Sequence, residues 1–217
     1  MYSFLSYVAN NLDDIGKALG QHVMISGVSV LLGIVVAFPA GILLTKNKSL
    51  ANFVLGVFSV VNTIPSLVLL GVAMIVLGLG FVPAVAVLFL YSLLPIMRNT
   101  YTGISNIEEK YIKAAVGMGM SKWQLLLSVQ LPLALPAIIT GVRLSSIYII
   151  SWATLSAFIG AGGLGDLIWS GLQSYNYNMI FAGAVPATLL ALLVSFLLSS
   201  AEKRATQFSR GRKEVKT

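Results

Sequence analysis

The residues that could carry out catalysis or bind a metal are few in this 217-residue chain. It has one histidine, His22, no cysteine and seven Asp and Glu residues, none of which lies within a long apolar run. One imidazole without thiols excludes a multi-His or Cys metal cluster, and no apolar run contains paired carboxylates or a Ser/His/Asp set. The sequence therefore predicts no catalytic residues, no metal and no disulfide.

Two glycine patterns bear on nucleotide binding. Gly160, Gly162 and Gly165 match G-x-G-x-x-G, but no strand pattern precedes them and no βαβ unit follows, so we expect a glycine-rich turn instead of a dinucleotide site. The P-loop pattern G-x-x-x-x-G-K-[ST] does not occur in the chain. No cofactor is predicted, and ATP-dependent work would need the ATPase site of another polypeptide.

The composition is that of an integral membrane protein. Apolar residues make up 57% of the chain and charged residues 10%, and the mean hydropathy is +0.90. Soluble domains are nearer 45–50% apolar and about 25% charged. The net charge is +7, and the basic residues lie between and after the apolar runs. This distribution indicates the positive-inside rule and not nucleic-acid binding. We predict an all-α fold with no separate soluble domain.

The apolar runs predict about five spans in a single transmembrane domain. Residues 1–20 form an amphipathic segment that we expect at the lipid surface. The second run is about 30 residues long, which is too long for one straight span, and Pro65 in its middle predicts a kinked or broken helix. The five runs cover residues 21–45, 51–80, 83–97, 133–159 and 179–200.

The distribution of positive charge sets the predicted orientation. If the second run is one broken span, all but two of the 14 Lys and Arg residues lie on one side of the membrane. The exceptions are Lys17 and Arg143. The positive-inside rule then places the N-terminus outside, and the basic tail of residues 201–217 in the cytoplasm.

A polar island at residues 101–131 separates the third and fourth runs. Asn106 with Glu109, and Ser121 with Gln124, have the spacing of capping boxes, which predicts two short helices with a bend at Gly119. The second short helix would present an exposed tryptophan and methionine to a groove on a partner. The alternative is a loop on the membrane surface, anchored by that tryptophan.

The island also carries a recognisable motif. Lys113-Ala114-Ala115 is followed after three residues by Gly119, and nine residues later by Val129-Gln130-Leu131-Pro132. This spacing resembles the EAA motif of binding-protein-dependent ABC importer permeases. The family motif begins with Glu where this chain has lysine, so a contact of that Glu with the ATPase would be rearranged here, with Glu108 or Glu109 as candidates.

Three further stretches resemble the osmoprotectant branch of the family, which imports glycine betaine, carnitine or choline. They are Thr63–Ser66, Leu94–Gly103 and Gly160–Asp166. The last is shared with methionine and phosphonate importers, so Leu94–Gly103 is the stretch that indicates osmoprotectants. The resemblance covers nearly the whole chain and implies a type I ABC importer permease fold in the cell membrane.

The resemblance also implies the partners and the coupling region. A second permease subunit, identical or paralogous, would complete the pathway, ABC ATPase subunits would dock in the cytoplasm, and an extracytoplasmic binding protein would deliver the solute. The short helix near Gly119 would be the coupling helix in the ATPase groove. The residues assigned to ATPase coupling are Lys113, Ala114, Ala115, Gly119, Met120, Ser121, Lys122, Trp123, Leu131 and Pro132.

The pathway candidates lie at the break in the second span. We expect Asn62, Thr63, Pro65 and Ser66 to form a gate. Tyr148 and Trp152 are candidate contacts for a quaternary ammonium, because such cations favour aromatic faces. Residues 160–178 form a predicted outer gate loop, whose glycines we expect in a non-helical turn and which contains Gly162, Gly163, Gly165 and Asp166.

Three polar residues have open roles. Arg143 is an intramembrane charge, which makes it a functional candidate, but it can also extend to the cytoplasmic interface. Asp166 could contact the binding protein or the solute, or cap a helix. We expect His22 at the membrane interface.

Other functions fit the sequence less well. A methionine or other small-solute importer would use the same machinery with different cargo. A passive channel would leave the coupling motif without a role, and an intramembrane enzyme lacks the residues for catalysis.

Overall fold

The structure of the protein, a computed structural model, describes residues 4–214. Over these residues all of the regular structure is helical. A π-helical segment (Leu126–Gln130) joins α7 to α8, and a 3₁₀ segment (Thr154–Ile159) follows α8. The helices are α1 (Phe4–Asn10), α2 (Leu12–Leu44), α3 (Lys48–Thr63), α4 (Ser66–Leu77), α5 (Phe81–Ser105), α6 (Glu109–Gly117), α7 (Lys122–Leu125), α8 (Leu131–Ala153), α9 (Leu164–Gln173) and α10 (Tyr177–Glu214).

The spans agree with the predicted number. Four helical stretches, which contain α2, α5, α8 and α10, are each long and apolar enough to cross a membrane. The pair α3 and α4 meets the same test together, with a bend of 92° between its members. The predicted break in the second run is therefore confirmed, and counting the bent pair as one span gives five.

The ends of the spans gather in two groups. At one end, which we call the polar end, Thr45, Lys48, Tyr101, Ile112 and Gln130 line one open cleft. The connections after α2 and α5 therefore lie beside α6 and the π-helical segment. At the other end, which we call the glycine end, Gly80 N–H donates a 2.8 Å hydrogen bond to the Ile159 carbonyl.

The centre of the bundle is α5, which packs between α2 and α8. Its buried face includes Leu88, Tyr91 and Ile96. Buried serines also link the three helices: Ser145 Oγ on α8 donates to the Ser92 carbonyl at 3.2 Å, and Ser92 Oγ donates to the Ser29 carbonyl on α2 at 3.4 Å. Small hydroxyl residues let helix backbones approach closely within a membrane.

Glycines also lie at the two contact surfaces, here called seams, where α2 and α8 pack against α5. A Cβ added at Gly41 of α2 would lie 2.7 Å from Thr100 Cβ and 2.9 Å from the Met97 carbonyl oxygen on α5. A Cβ added at Gly141 of α8 would lie 2.8 Å from the Pro95 carbonyl oxygen. Both separations are shorter than packing allows, so α2 and α8 can approach α5 this closely only because these residues lack a side chain.

Several boundaries differ from the sequence-based expectations. Residues 12–20 of the predicted surface segment are the first turns of α2 and continue directly into the span. The side chain of Asn106 does not cap α6, whose N-cap residue is Glu108, whereas the capping box of Ser121 and Gln124 is present. Residues 1–3 and 215–217 of the predicted terminal segments lie outside the described residues.

We predict that Gly41→Ala destabilises the protein by about 1–3 kcal/mol, because its methyl group would push α2 away from the α5 backbone. The measurement is the unfolding temperature of the purified protein in detergent. Gly56→Ala in α3 is the matched control, since nothing lies within 4 Å of its added Cβ. The control should be neutral or slightly stabilising because alanine favours the helix; equal destabilisation by the two variants would contradict this account of the seam.

Candidate functional site

The predicted coupling region is a pair of short helices separated by a tight bend. Gly119 has a φ of +78°, a conformation that side chains other than glycine rarely adopt. On the N-terminal side of Gly119, Ala115 of α6 is buried. On the other, Gln124 N–H donates to Ser121 Oγ at 3.3 Å and Ser121 N–H donates to Gln124 Oε1 at 2.8 Å, which closes the start of α7. The predicted bend at Gly119 is confirmed.

Large apolar residues of α6, α7 and the residues that directly follow each of these helices are exposed, and we call them together the coupling face. It consists of Val116, Met118, Trp123 and Leu127, and the Trp123 side chain is 72% exposed. Met120, predicted to be presented with them, is half-buried. A cluster of large apolar side chains around an exposed tryptophan, on a structure shaped by a fixed bend, is typical of a protein-binding surface.

The lysine that replaces the motif glutamate pairs within its own helix. Lys113 Nζ lies 3.3 Å from Glu109 Oε1, one turn earlier on α6, and both side chains are largely exposed. Glu108 pairs with Lys110 at 2.7 Å, and this contact raises the pKa of the lysine. Both carboxylates proposed as substitutes for the motif glutamate therefore face the solvent beside the coupling face.

The coupling face is continuous with a membrane span. Leu131 and Pro132 begin α8, and α7, the π-helical segment and α8 form part of one helical stretch from Lys122 to Ile159. Pro132 has no amide proton to offer the carbonyl four residues earlier, which fits the local widening of the helix. A displacement of α7 can therefore act directly on the span.

The break between α3 and α4 lies beside α5. The backbone leaves the helix at Ile64, and Pro65 precedes the first residue of α4. Tyr91 Oη on α5 donates a 2.6 Å hydrogen bond to the Ile64 carbonyl. Thr63 and Pro65 are exposed, whereas Asn62 and Ser66 are half-buried.

Aromatic and polar residues of α3, α5 and α8 make contacts between or along these helices, and we call them together the pathway face: Ser59, Tyr91, Arg98, Tyr148 and Trp152. Trp152 contacts Tyr91 with their ring centroids 4.7 Å apart, and Tyr148 stacks on Trp152 at 5.7 Å. Arg98 Nη2 on α5 donates to Ser59 Oγ on α3 at 2.6 Å. Sequence reasoning missed Tyr91 because its role depends on contacts with two other helices.

The glycine turn, residues 160–163, is fastened to α2. Gly163 N–H donates to Gln21 Oε1 at 3.0 Å. The next residue of α2, His22, is fully buried, and its Nε2 lies 3.0 Å from the Ile150 carbonyl oxygen of α8. His22 therefore joins two helices and is enclosed by the bundle, and its position at the membrane interface stays a prediction.

The predicted outer loop is mostly helical. Gly160, Gly162 and Gly163 have positive φ values, but α9 begins at Leu164, so the predicted non-helical turn ends before Gly165. Gly165 packs directly against the Thr154 backbone. Asp166 lies in the first turn of α9 without capping it, and partial loss of water around its carboxyl raises its pKa.

Arg143 has a partner that the sequence did not reveal. Its Nε lies 3.4 Å from Glu202 Oε2 of α10, and both side chains are about three-quarters buried. The other carboxylate oxygen accepts a 2.9 Å hydrogen bond from Thr140 Oγ1. Glu202 was expected in the basic tail, but α10 continues through it and places the carboxylate against α8.

Four helical stretches that are long and apolar enough to cross a membrane, together with the bent pair α3 and α4, define a multi-pass membrane protein. Residues 29–207 match the family of binding-protein-dependent transport system inner membrane components. The chain belongs to this family, in which ATP hydrolysis is carried out by separate ATPase subunits. It is a multi-pass protein of the cell membrane.

Relatives match over most of their length. The chain is 50% identical over 186 residues to the carnitine transport permease protein OpuCB of Listeria monocytogenes, covering 86% of this chain and 85% of the relative. It is 43% identical over 216 residues to the glycine betaine/carnitine/choline transport system permease protein OpuCB of Bacillus subtilis, covering 99% and 100%.

Solved structures support the fold. An inward-facing form of the MetNI methionine ABC transporter matches with a TM-score of 0.77 and 22% identity, over 94% of this chain and 99% of that chain. An amino acid ABC transporter with histidines matches with a TM-score of 0.77 and 20% identity, with the same coverage. The predicted type I ABC importer permease fold is confirmed.

We predict that Gly119→Val impairs stimulation of the partner ATPase severalfold or more, because valine disfavours a φ of +78° and would reorient α7 relative to α6. The measurement is ATP hydrolysis by the assembled transporter in the presence of loaded binding protein. Gly117→Val is the control, since this residue ends α6 with nothing within 4 Å of an added Cβ. Normal stimulation in the Gly119 variant would show that the bend does not position the coupling face.

We predict that Glu202→Ala lowers the free energy of unfolding by about 1–3 kcal/mol, because it leaves Arg143 unpaired in a largely buried position. The double variant Arg143→Met/Glu202→Leu removes both charges and should recover most of this loss. Thermal unfolding in detergent measures both. Equal instability of the single and double variants would mean that the side chains matter for their packing and not as an ion pair.

Proposed function

We propose that this chain is the transmembrane permease subunit of an ATP-driven importer of osmoprotectants that carry a quaternary ammonium: glycine betaine, carnitine or choline. The observation that carries the proposal is the 43% identity to a permease named for these three solutes, over the full length of that relative. The coupling face supports the same conclusion, because it gives a partner ATPase an apolar surface continuous with a span.

The proposed orientation puts the polar end in the cytoplasm and the glycine end outside. The polar end gathers Lys48 with α6, and α10 ends beside the start of α8 on the same side, with Lys203 and Arg204. Positively charged loops are retained in the cytoplasm. The N-terminus then lies outside, where an extracytoplasmic binding protein would meet the glycine turn and α9.

The coupling mechanism follows from the helical continuity. ATP-driven closure of the ATPase pair moves the coupling face, including Trp123 in the ATPase groove. Because α7 continues through the π-helical segment into α8, this motion shifts the α8 side of the pathway face. Two packings of nearly rigid helices, one favoured by nucleotide and one by its absence, are sufficient for alternating access.

The pathway itself forms between this chain and a second permease subunit. Asn62, Thr63, Pro65 and Ser66 at the α3–α4 break act as the gate. Non-helical backbone at membrane depth is tolerated where it is buried in protein or lines a water-filled cavity. The exposed residues of the break therefore face the pathway or the second subunit and not lipid.

Another cargo is the alternative within the same machinery. The solved methionine transporter shares the fold, but at 22% identity that likeness does not extend to cargo. The relative named for choline, OpuBB of Bacillus subtilis, is 42% identical over 206 residues. These sequence relationships favour quaternary ammonium solutes over methionine.

We predict that the complete transporter, with its ATPase and binding protein, takes up labelled glycine betaine, carnitine or choline in proteoliposomes only when ATP is supplied. Gly119→Val should abolish this uptake and Gly117→Val should retain it. Uptake of methionine alone would overturn the proposed cargo and keep the machinery. Uptake without ATP would instead identify a passive channel.

A further inference from the structure

The aromatic side chains of the pathway face form one continuous group across three elements. Tyr91 is anchored by its hydroxyl to the Ile64 carbonyl at the break, and Trp152 packs on its ring. Tyr148 stacks on the other side of Trp152 and is 45% exposed. We call these three residues the aromatic cluster. Its buried end fixes the position of the rings, and its open end presents the face of Tyr148.

The helices that carry the aromatic cluster and the break contain no carboxylate that could pair with a cation. The sequence has no Asp or Glu from Lys48 to Ser105 or from Leu126 to Ile159, the stretches that form α3, α4, α5 and α8. The nearby polar groups are hydroxyls and carbonyls, among them Ser151 on the exposed side of α8. A cation at this depth therefore has only ring faces and backbone dipoles for stabilisation.

The aromatic cluster adjoins the break through the Tyr91 hydroxyl, and residues Thr63 and Pro65 of the break are exposed in this chain. Irregular backbone at membrane depth has to face a cavity or protein. Tyr148 and Ser151 lie one turn apart on α8 and both are exposed, so they share one side of that helix.

A quaternary ammonium matches this surface in its chemistry. It carries a full positive charge but no N–H, so it cannot use hydrogen-bond acceptors in the way a primary amine does. Aromatic faces attract it through the ring quadrupole, and this attraction strengthens where water is excluded. The methyl groups of the cation also pack against the rings as apolar surface.

We propose that the aromatic cluster is a binding site for the quaternary ammonium of the solute within the permease, with the exposed face of Tyr148 as the contact surface, Trp152 supporting it and Tyr91 tying the site to the α3–α4 break. This proposal rests on the proposed function. The Tyr91 hydroxyl donates a hydrogen bond to the Ile64 carbonyl of the break. The same bond therefore positions both the break and the aromatic rings that would contact the solute.

The chain contains no cysteine, so a single introduced thiol can be labelled selectively. Ser151→Cys places one thiol beside Tyr148, and the complete transporter, with partner cysteines removed, is labelled with N-ethylmaleimide. Choline should protect the thiol from labelling at about threefold to thirtyfold lower concentration than a neutral molecule of the same shape, the range that cation–π attraction provides. The compound 3,3-dimethylbutan-1-ol has the same shape with carbon in place of nitrogen, and it should give much less protection.

Matched variants test whether the aromatic ring of Tyr148 is the contact surface for the cation. Protection should persist in Tyr148→Phe, which keeps the aromatic face, and disappear in Tyr148→Leu. Ser174→Cys, an exposed position beyond the end of α9, should label at the same rate with and without choline. Equal protection by the neutral compound, or protection retained in Tyr148→Leu, would overturn the site.

Uptake measured on the same preparations separates this proposal from the proposed function. ATP-driven uptake of choline or glycine betaine by the Ser151→Cys transporter, without any protection of the introduced thiol, would overturn the site and leave the proposed function intact. Protection by choline with uptake of methionine alone would overturn the cargo and support a cation site on the pathway face.

Discussion

The backbone polar groups of a membrane-spanning chain have to form hydrogen bonds within the protein. At the break between α3 and α4, a side chain provides such a hydrogen bond. Pro65 cannot donate a hydrogen bond, and the helix axis turns by 92° there. The Tyr91 hydroxyl supplies a donor to the Ile64 carbonyl. This bond places the aromatic cluster beside the break, whose exposed backbone has to line a cavity or contact protein.

The helix α8 joins the coupling face to the pathway face. Polar contacts along its length hold it against the neighbouring helices. Ser145 bonds to α5, the Ile150 carbonyl is bonded by His22 of α2, and Arg143 pairs with Glu202 of α10. Each contact is directional and depends on distance. A movement that enters through α7 can therefore be carried by α8 together with its neighbours, as expected of a switch between discrete packings of rigid helices.

Patterns local in the sequence predicted local structure well. The capping box of Ser121 and Gln124, the bend at Gly119 and the break at Pro65 each depend on neighbouring residues, and all three are present. The capping prediction for Asn106 was wrong because α6 begins two residues later than that pattern indicates, with Glu108 as its N-cap residue. The helix α9 was missed because the glycines before it made the segment resemble a loop.

The sequence alone determined the membrane class and the number of spans, since these follow from composition and from the lengths of the apolar runs, and it carried a motif that resembles that of the family. Only the tertiary structure revealed the partners of the buried polar residues. Glu202 lies 59 positions from Arg143, His22 lies 128 from Ile150, and Tyr91 lies 27 from Ile64. Contacts at such separations depend on how helices pack against one another, and the local sequence pattern contains no record of that packing.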